Sequence, residues 1–373
     1  MDRDVGKIKV LAVIDHLGGG GAERQFLELA KRVDREKFDL KIFLTEGGGR
    51  RLDEARRLGL DVCCESEETG RNTPRALISL VSHIRKTSPD VIMAWLSYSI
   101  TLTAVASALT GGKKLIFSER SSLERLFGVE VRFGSIKKFI LKKAFGRARL
   151  VVTNSKAVAA EFNSLGYVEE GRTRVIHNGI DLDAFSCLPP KDVLRRKLGM
   201  AGGKVYGIFA GKLEYRKGIT FLLEAIEGID ATGFQMIVIG SGSLEPMVRR
   251  HPGVCYLGYR DNSAEYMKAS DFLVLPSLYE GLPNVVLEAM AVGTPVIAAS
   301  VSGVPEIIEH METGLLVEPE DPLGLRAAMS ELIGDGGLRG MLGRNALERI
   351  DRFEMMKMVR AYEALFLEAA RPA

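Results

Sequence analysis

Glu280-Gly281-Leu282-Pro283-Asn284-Val285-Val286-Leu287-Glu288, running on into Ala289-Met290-Ala291-Val292-Gly293-Thr294-Pro295, is the stretch from which the rest of the chain is read. Pro283 suits the first turn of a helix, where a missing N–H costs nothing. Gly293 suits a left-handed residue just past the helix end. The residues between them are apolar nearly all round, which predicts a buried helix. Glu288 is anomalous in such a helix, because a buried charge without a partner is expensive. Glu280 lies on the lead-in, and the helix start between the two acids offers free amides to an anion. Two carboxylates flanking an anion site suit a ligand with hydroxyls at both ends and phosphate in the middle.

The spacing argues against a hydrolase. Paired glycosidase carboxyls sit about 5–9.5 Å apart. Eight helical residues span about 12 Å, and an extended lead-in is no shorter. The two acids are better placed to grip separate parts of a long ligand.

Working outward, 373 residues with 46% hydrophobic and 27% charged content fit two soluble domains. The cysteines, Cys63, Cys64, Cys187 and Cys255, form no CxxC pair, so neither a zinc site nor a disulfide framework is expected. The first apolar run, Ile8 to Ile14, reads as a strand and is too short for a signal peptide. Val91 to Gly112 carries no charge, but its serines and threonines fit a strand, a polar loop and a helix better than a membrane span. Net charge is +3, split into +9 over residues 1–180 and −6 over the remainder, so the first half is expected to face something anionic.

Both halves alternate strands and helices. In the first, Ile8–Ile14, Phe38–Thr45, Val91–Trp95, Lys114–Ser118 and Leu150–Thr153 read as strands. Ala22–Val33, Pro74–Lys86 and Ser155–Leu165 read as helices. In the second, Val205–Ala210, Gln235–Ile239, Val254–Leu257, Phe272–Leu275, Val296–Ala299 and Leu315–Val317 are strand candidates, and Phe353–Ala370 closes the chain as a helix. The pattern predicts parallel sheets with helices on both faces.

Three features sit where such sheets bind ligands, beyond strand ends, and a basic stretch stands apart from them. Gly18 to Gly21 is either a mobile loop or a backbone that approaches a phosphate at a helix start. It lacks the lysine of a P-loop and the last glycine of a dinucleotide fingerprint. Glu119 and Arg120 are acceptor-side candidates, or part of a capped, solvated loop. Lys212, Arg216 and Lys217 form a basic turn after a strand. Cations and oriented amides describe a diphosphate site that needs no metal. Residues 125–149 carry Arg125, Arg132, Lys137, Lys138, Lys142, Lys143, Arg147 and Arg149 against the single acid Glu130. Ile136, Phe139, Ile140 and Ala144 share a helical face there. Such a helix fits either an anionic membrane surface or a core with a solvated basic side. Aromatic residues are too sparse for a nucleic-acid partner.

Pro276-Ser277-Leu278-Tyr279-Glu280 through Pro295-Val296-Ile297-Ala298 resembles the E-x7-E signature of family-4 retaining glycosyltransferases. Gly211-Lys212-Leu213 with Lys217-Gly218, Gly258, Asn178-Gly179-Ile180-Asp181 and Gly20-Gly21-Ala22-Glu23 follow the same family order. The resemblance implies an α/β GT-B fold: two facing Rossmann-like domains with a cleft between them. The expected division is 1–185 on the acceptor side, 186–352 binding the nucleotide-sugar, and 353–373 crossing back to the first domain. Lys212, Lys217 and Glu280 would be catalytic. Lys212 and Lys217 would neutralise the leaving diphosphate, Glu280 would contact the donor sugar and Glu288 the ribose. Gly258 and Tyr259 would lie at the base, and Gly281, Leu282, Pro283, Asn284 and Val285 at the phosphate and sugar. Gly20 and Gly21 would also face the donor.

No cofactor is implied beyond a nucleotide-sugar co-substrate, with UDP the habit of the family, and no metal. The acceptor would be a glycan or lipid-linked hydroxyl, and the location cytoplasmic, peripheral on the inner face of the cell membrane. The chain departs from the family in two places. Lys212 stands where Arg is frequent, which removes bidentate phosphate geometry. Ser118-Glu119-Arg120-Ser121 occupies the region of a familiar histidine, a variant similar to bacterial enzymes of surface-polysaccharide and lipid-linked glycan synthesis. A sugar-nucleotide epimerase of the same fold and a non-catalytic nucleotide- or glycan-binding subunit are the alternatives.

Overall fold

The computed structural model describes residues 6–64, 70–112, 114–122, 134–169, 171–200 and 202–371. It divides into two compact units, Met1–Gly179 with Met355–Ala373, and Ile180–Glu354. Residues 180–185 belong with the second unit because Ile180 and Phe185 are buried in its core. Ile180 also takes a backbone bond to the Phe353 carbonyl at 2.8 Å.

The first unit is a seven-stranded parallel sheet. Its strands are β1 (Ile8–Ile14), β2 (Phe38–Leu44), β3 (Asp61–Cys64), β4 (Val91–Trp95), β5 (Lys114–Glu119), β6 (Leu150–Thr153) and β7 (Thr173–Val175). Their order is β3-β2-β1-β4-β5-β6-β7. The middle strand β4 is a continuous apolar run, and β1 is one from Val10 onward, because helices cover both faces. One core cluster joins β1 and β4 to Phe26 and Leu29 of helix Gly21–Arg32 and to Met358, Val359, Tyr362 and Phe366 of the last helix, Met355–Ala370. The other takes Leu80, Ile100, Phe145 and Phe162 against the opposite face. Each such large side chain contributes roughly 1.5–3 kcal/mol by leaving water.

The uncharged stretch from Val91 resolves into β4 and helix Ser97–Leu109, and no described helix is long and apolar enough to cross a membrane. The basic stretch holds helix Gly134–Gly146, while Arg125, Glu130 and Arg132 lie outside the described residues. The apolar residues of this helix divide between core and surface. Leu141, Ala144 and Phe145 are buried, whereas Phe139 and Ile140 are 63% and 45% exposed. Phe145 wins the inward position because it stacks edge-on against Phe117 and Phe162 at 6.0 and 5.0 Å.

The second unit is a six-stranded parallel sheet of β8 (Val205–Ala210), β9 (Phe234–Ile239), β10 (Val254–Gly258), β11 (Phe272–Leu275), β12 (Val296–Ala299) and β13 (Gly314–Val317). Its order is β10-β9-β8-β11-β12-β13, so the order reverses between β8 and β11.

Candidate active site

In doubly wound sheets, ligands bind outside the carboxyl ends of the two strands at the reversal. In the second unit those strands lead into the turn Gly211–Gly218 and the loop from Pro276 to Pro283. The two segments are fastened together. Leu278 donates its N–H to the Arg216 carbonyl at 2.9 Å. Gly218 has φ +68°, and a Cβ there would lie 1.7 Å from the Pro276 carbonyl oxygen, so only glycine fits.

This junction brings Lys217 to Glu280, two residues the sequence places far apart. Their ammonium and carboxylate form an ion pair, and Ser277 Oγ donates to the same Glu280 Oε1 at 2.8 Å. Both side chains are largely buried. Burial alone would raise the Glu280 carboxyl, but the Lys217 charge and the hydrogen bonds from Lys217 and Ser277 outweigh it and hold the group below its usual range. Glu280 is therefore an ionised acceptor of hydrogen bonds. Lys212 stays apart: its side chain is 60% exposed, 3.8 Å from Glu214.

Beyond Glu280, Gly281, Leu282 and Pro283 are buried, and the helix runs from Asn284 to Ala291. Pro283 caps it with extended backbone, φ −74° and ψ 117°, one position before the turn in which it was expected. Pro283 itself makes no side-chain cap bond. Gly293 has φ +71°, as a left-handed residue past the end requires. Glu288 is 5% exposed on this helix. Gly258 ends β10 with φ +71° and takes the Gly240 N–H on its carbonyl at 2.9 Å, while Tyr259 is 47% exposed.

In the first unit, Gly20 caps helix Gly21–Arg32 without a side-chain bond, and a Cβ on it would meet Glu23 Oε2 at 2.3 Å. The glycine turn thus admits the chain's own Glu23 carboxylate beside that helix start. Arg120 is buried rather than presented at a loop tip. Its Nη1 donates to the Tyr362 hydroxyl at 2.8 Å, its Nη2 to Asn178 Oδ1, and its guanidinium lies 4.7 Å over the Trp95 ring. Glu119, 1% exposed, accepts the Arg120 N–H at 3.0 Å and the Ser97 hydroxyl at 3.4 Å. No group of three metal-ligating side chains occurs among the described residues.

Compared with known proteins, residues 19–184 match the glycosyltransferase family 4 domain and residues 204–335 the glycosyl transferases group 1 domain. The chain belongs to the family-4 glycosyltransferases. An uncharacterized glycosyltransferase of Methanocaldococcus jannaschii is 33% identical over 52% of this chain and 54% of that protein. The chain thus spans about half the length of that relative. A lipopolysaccharide core biosynthesis glycosyltransferase of Rhizobium meliloti is 27% identical over 96% of this chain and 98% of its own length. The Anabaena protein HepE, solved in complex with UDP-glucose, superposes with a TM-score of 0.83 at 23% identity, covering 96% of this chain and 99% of that one. That likeness, with the two parallel sheets, identifies the fold as GT-B.

Within this family-4 glycosyltransferase, sequence reasoning gave Ser277 no role of its own, although it lies in the quoted stretch. It also missed Asp15, which ends β1 and holds the start of helix Ser97–Leu109. A polar residue closing an otherwise apolar strand was the available signal.

Proposed function

We propose that the chain is a retaining glycosyltransferase that moves a hexose-type sugar from a UDP-sugar to a hydroxyl of a glycan or lipid-linked acceptor in cell-surface polysaccharide or glycolipid synthesis. The observation that carries this reading is the Ser277–Glu280–Lys217 cluster at the strand-order reversal, next to the start of helix Asn284–Ala291. Glu280 accepts from sugar hydroxyls and Glu288 from the ribose. Lys217, Lys212 and the amides from Gly281 to Val285 take the diphosphate, while Gly258 and Tyr259 meet the base. The part of the Rhizobium relative in lipopolysaccharide core biosynthesis and the UDP-glucose complex of the Anabaena neighbour favour the same substrate class.

The acceptor oxygen attacks the anomeric carbon on the face from which UDP leaves. The carbon–phosphate-oxygen bond breaks, and the departing phosphate oxygen takes the acceptor proton. Positioning and charge stabilisation are the protein's share of the work, and no metal is required. A thermal-shift screen of UDP-, GDP- and ADP-sugars in EDTA tests this. A UDP-sugar at 100 times its Kd should stabilise the protein by about 2.7 kcal/mol; no shift with any of the three classes would sink the reading. Glu288→Ala should weaken that binding at least tenfold, and an unchanged donor affinity removes Glu288 from the ribose.

Peripheral binding to the cytoplasmic face of an anionic membrane belongs to the same proposal. Phe139 and Ile140 stand exposed beside Lys138, Lys142 and Lys143, and Leu165 is 54% exposed next to them. Apolar side chains ringed by lysines suit headgroups, at about 1 kcal/mol per cation. Sedimentation with phosphatidylglycerol vesicles should exceed that with phosphatidylcholine vesicles, and Phe139→Ser should reduce it several-fold. Equal sedimentation with both would rule the contact out.

A further inference from the structure

The first unit holds a polar cluster that none of these roles uses. Its strand order reverses between β1 and β4, so its own ligand position lies beyond the carboxyl ends of those strands. Asp15 closes β1, Thr45 and Glu46 follow β2, and Tyr98 and Ser99 sit on the helix after β4. Asp15 is 9% exposed. Its Oδ1 accepts the Ser99 N–H at 3.0 Å and the Ser99 hydroxyl at 2.6 Å, and that hydroxyl lies 2.9 Å from Thr45 Oγ1.

Part of this is structural. Helix Ser97–Leu109 is preceded by Leu96, with φ +69° and no side-chain cap, so Asp15 Oδ1 supplies the cap from another strand. The second oxygen, Oδ2, accepts no hydrogen bond from any described residue. A half-satisfied carboxylate is an uneconomical cap, since Ser, Thr or Asn would satisfy the same amide without burying a charge. Burial pushes this carboxyl up to about 6, against the pull of the Ser99 bonds.

The neighbours extend the polar surface. The Glu46 N–H donates to the Asp15 carbonyl at 2.7 Å, and the Glu46 carboxylate pairs with Arg71. The Arg71 guanidinium lies 4.8 Å over the Tyr98 ring, with its side chain 65% exposed. Arg71 also feels the Asp15 charge, so a carboxylate oxygen without a described donor and an accessible guanidinium offer acceptor and donor to one sugar ring.

We infer that Asp15, Glu46 and Arg71 form a hexose subsite at the carboxyl ends of β1, β2 and β4, with Asp15 Oδ2 accepting from one sugar hydroxyl and Arg71 donating to its neighbour. Resting on the glycosyltransferase reading, this subsite takes the terminal sugar of the acceptor. Glu119 and Arg120, expected on the acceptor side, are occupied within the unit.

The test is saturation-transfer NMR on the full chain with methyl α-D-glucopyranoside, methyl α-D-galactopyranoside and methyl α-D-mannopyranoside. At least one should receive saturation. Asp15→Asn keeps an oxygen for Ser99 but turns Oδ2 into a donor, and should weaken that glycoside about tenfold. Arg71→Met, at an exposed position, should do the same without threatening the fold. The subsite is overturned if no glycoside is saturated, or if both variants bind as wild type does. UDP-sugar thermal shift on the wild type is read in parallel. Saturation that depends on Asp15 without any UDP-sugar shift would keep the subsite and dismiss the transferase, and the reverse result would do the opposite.

Discussion

Lys217→Ala should lower turnover about 10²–10³-fold, the loss that follows removal of one preorganised donor to developing charge. Its ammonium is held on Glu280 and screened from water, with its side chain only 15% exposed. Charge placed in advance needs no reorganisation when the phosphate oxygen begins to leave. The variant also strips Glu280 of its counter-charge, so burial then dominates and the carboxyl rises toward its neutral form. Donor positioning should suffer along with leaving-group stabilisation. Lys217→Arg keeps the charge but not the compact point geometry, and should lose less. The check is kcat on purified, folded variants. Turnover of Lys217→Ala within a few-fold of wild type would remove the lysine from the chemistry.

Arg120→Ala should cost the first unit about 1–3 kcal/mol for each buried polar partner it leaves unsatisfied. Glu119 remains behind at 1% exposure, and Tyr362 and Asn178 each lose a charged donor. The Trp95 ring loses the cation above it. Burial already works against the Arg120 charge and holds its pKa below the usual range, opposed by Tyr362 and Glu119. The buried guanidinium is thus costly to keep, and its removal leaves its partners unsatisfied. Denaturant unfolding followed by Trp95 fluorescence reports on this unit, since Trp95 is the chain's single tryptophan. A midpoint shift worth under about 1 kcal/mol, the value of an exposed pair, would show that the network carries little.

What could be read from the sequence followed the apolar runs. Val91–Trp95, Leu150–Thr153, Val205–Ala210, Phe272–Leu275 and Val296–Ala299 are strands at those bounds, because buried parallel strands need uninterrupted apolar residues. Asp61–Cys64 and Thr173–Val175 escaped notice. They are the two edges of their sheet, where one side is open and polar residues are tolerated. The basic helix misled for a different reason. Phe139 and Phe145 are equally apolar, and only the ring pocket formed by Phe117 and Phe162 selects which turns inward. In the second unit Glu280 and Lys217 were both singled out. Their contact depends on Gly218 packing against the Pro276 carbonyl, an event between two strands that spacing along the chain does not encode. Arg120 was read as a loop residue for the same reason, since its partner Tyr362 lies 242 positions away.

That partnership has a consequence for how the chain is made. The second unit is one continuous segment, Ile180–Glu354, whereas the first needs Met355–Ala373 to complete it. During synthesis the inserted unit has all its residues before the outer one has its last helix. Until then Trp95 and Phe38 lack the rings of Tyr362 and Phe366 that pack on them, and Arg120 lacks one of its two acceptors. The N-terminal half therefore waits, with apolar surface open, for helix Met355–Ala370 to leave the ribosome, an interval in which aggregation and chaperone binding compete with folding.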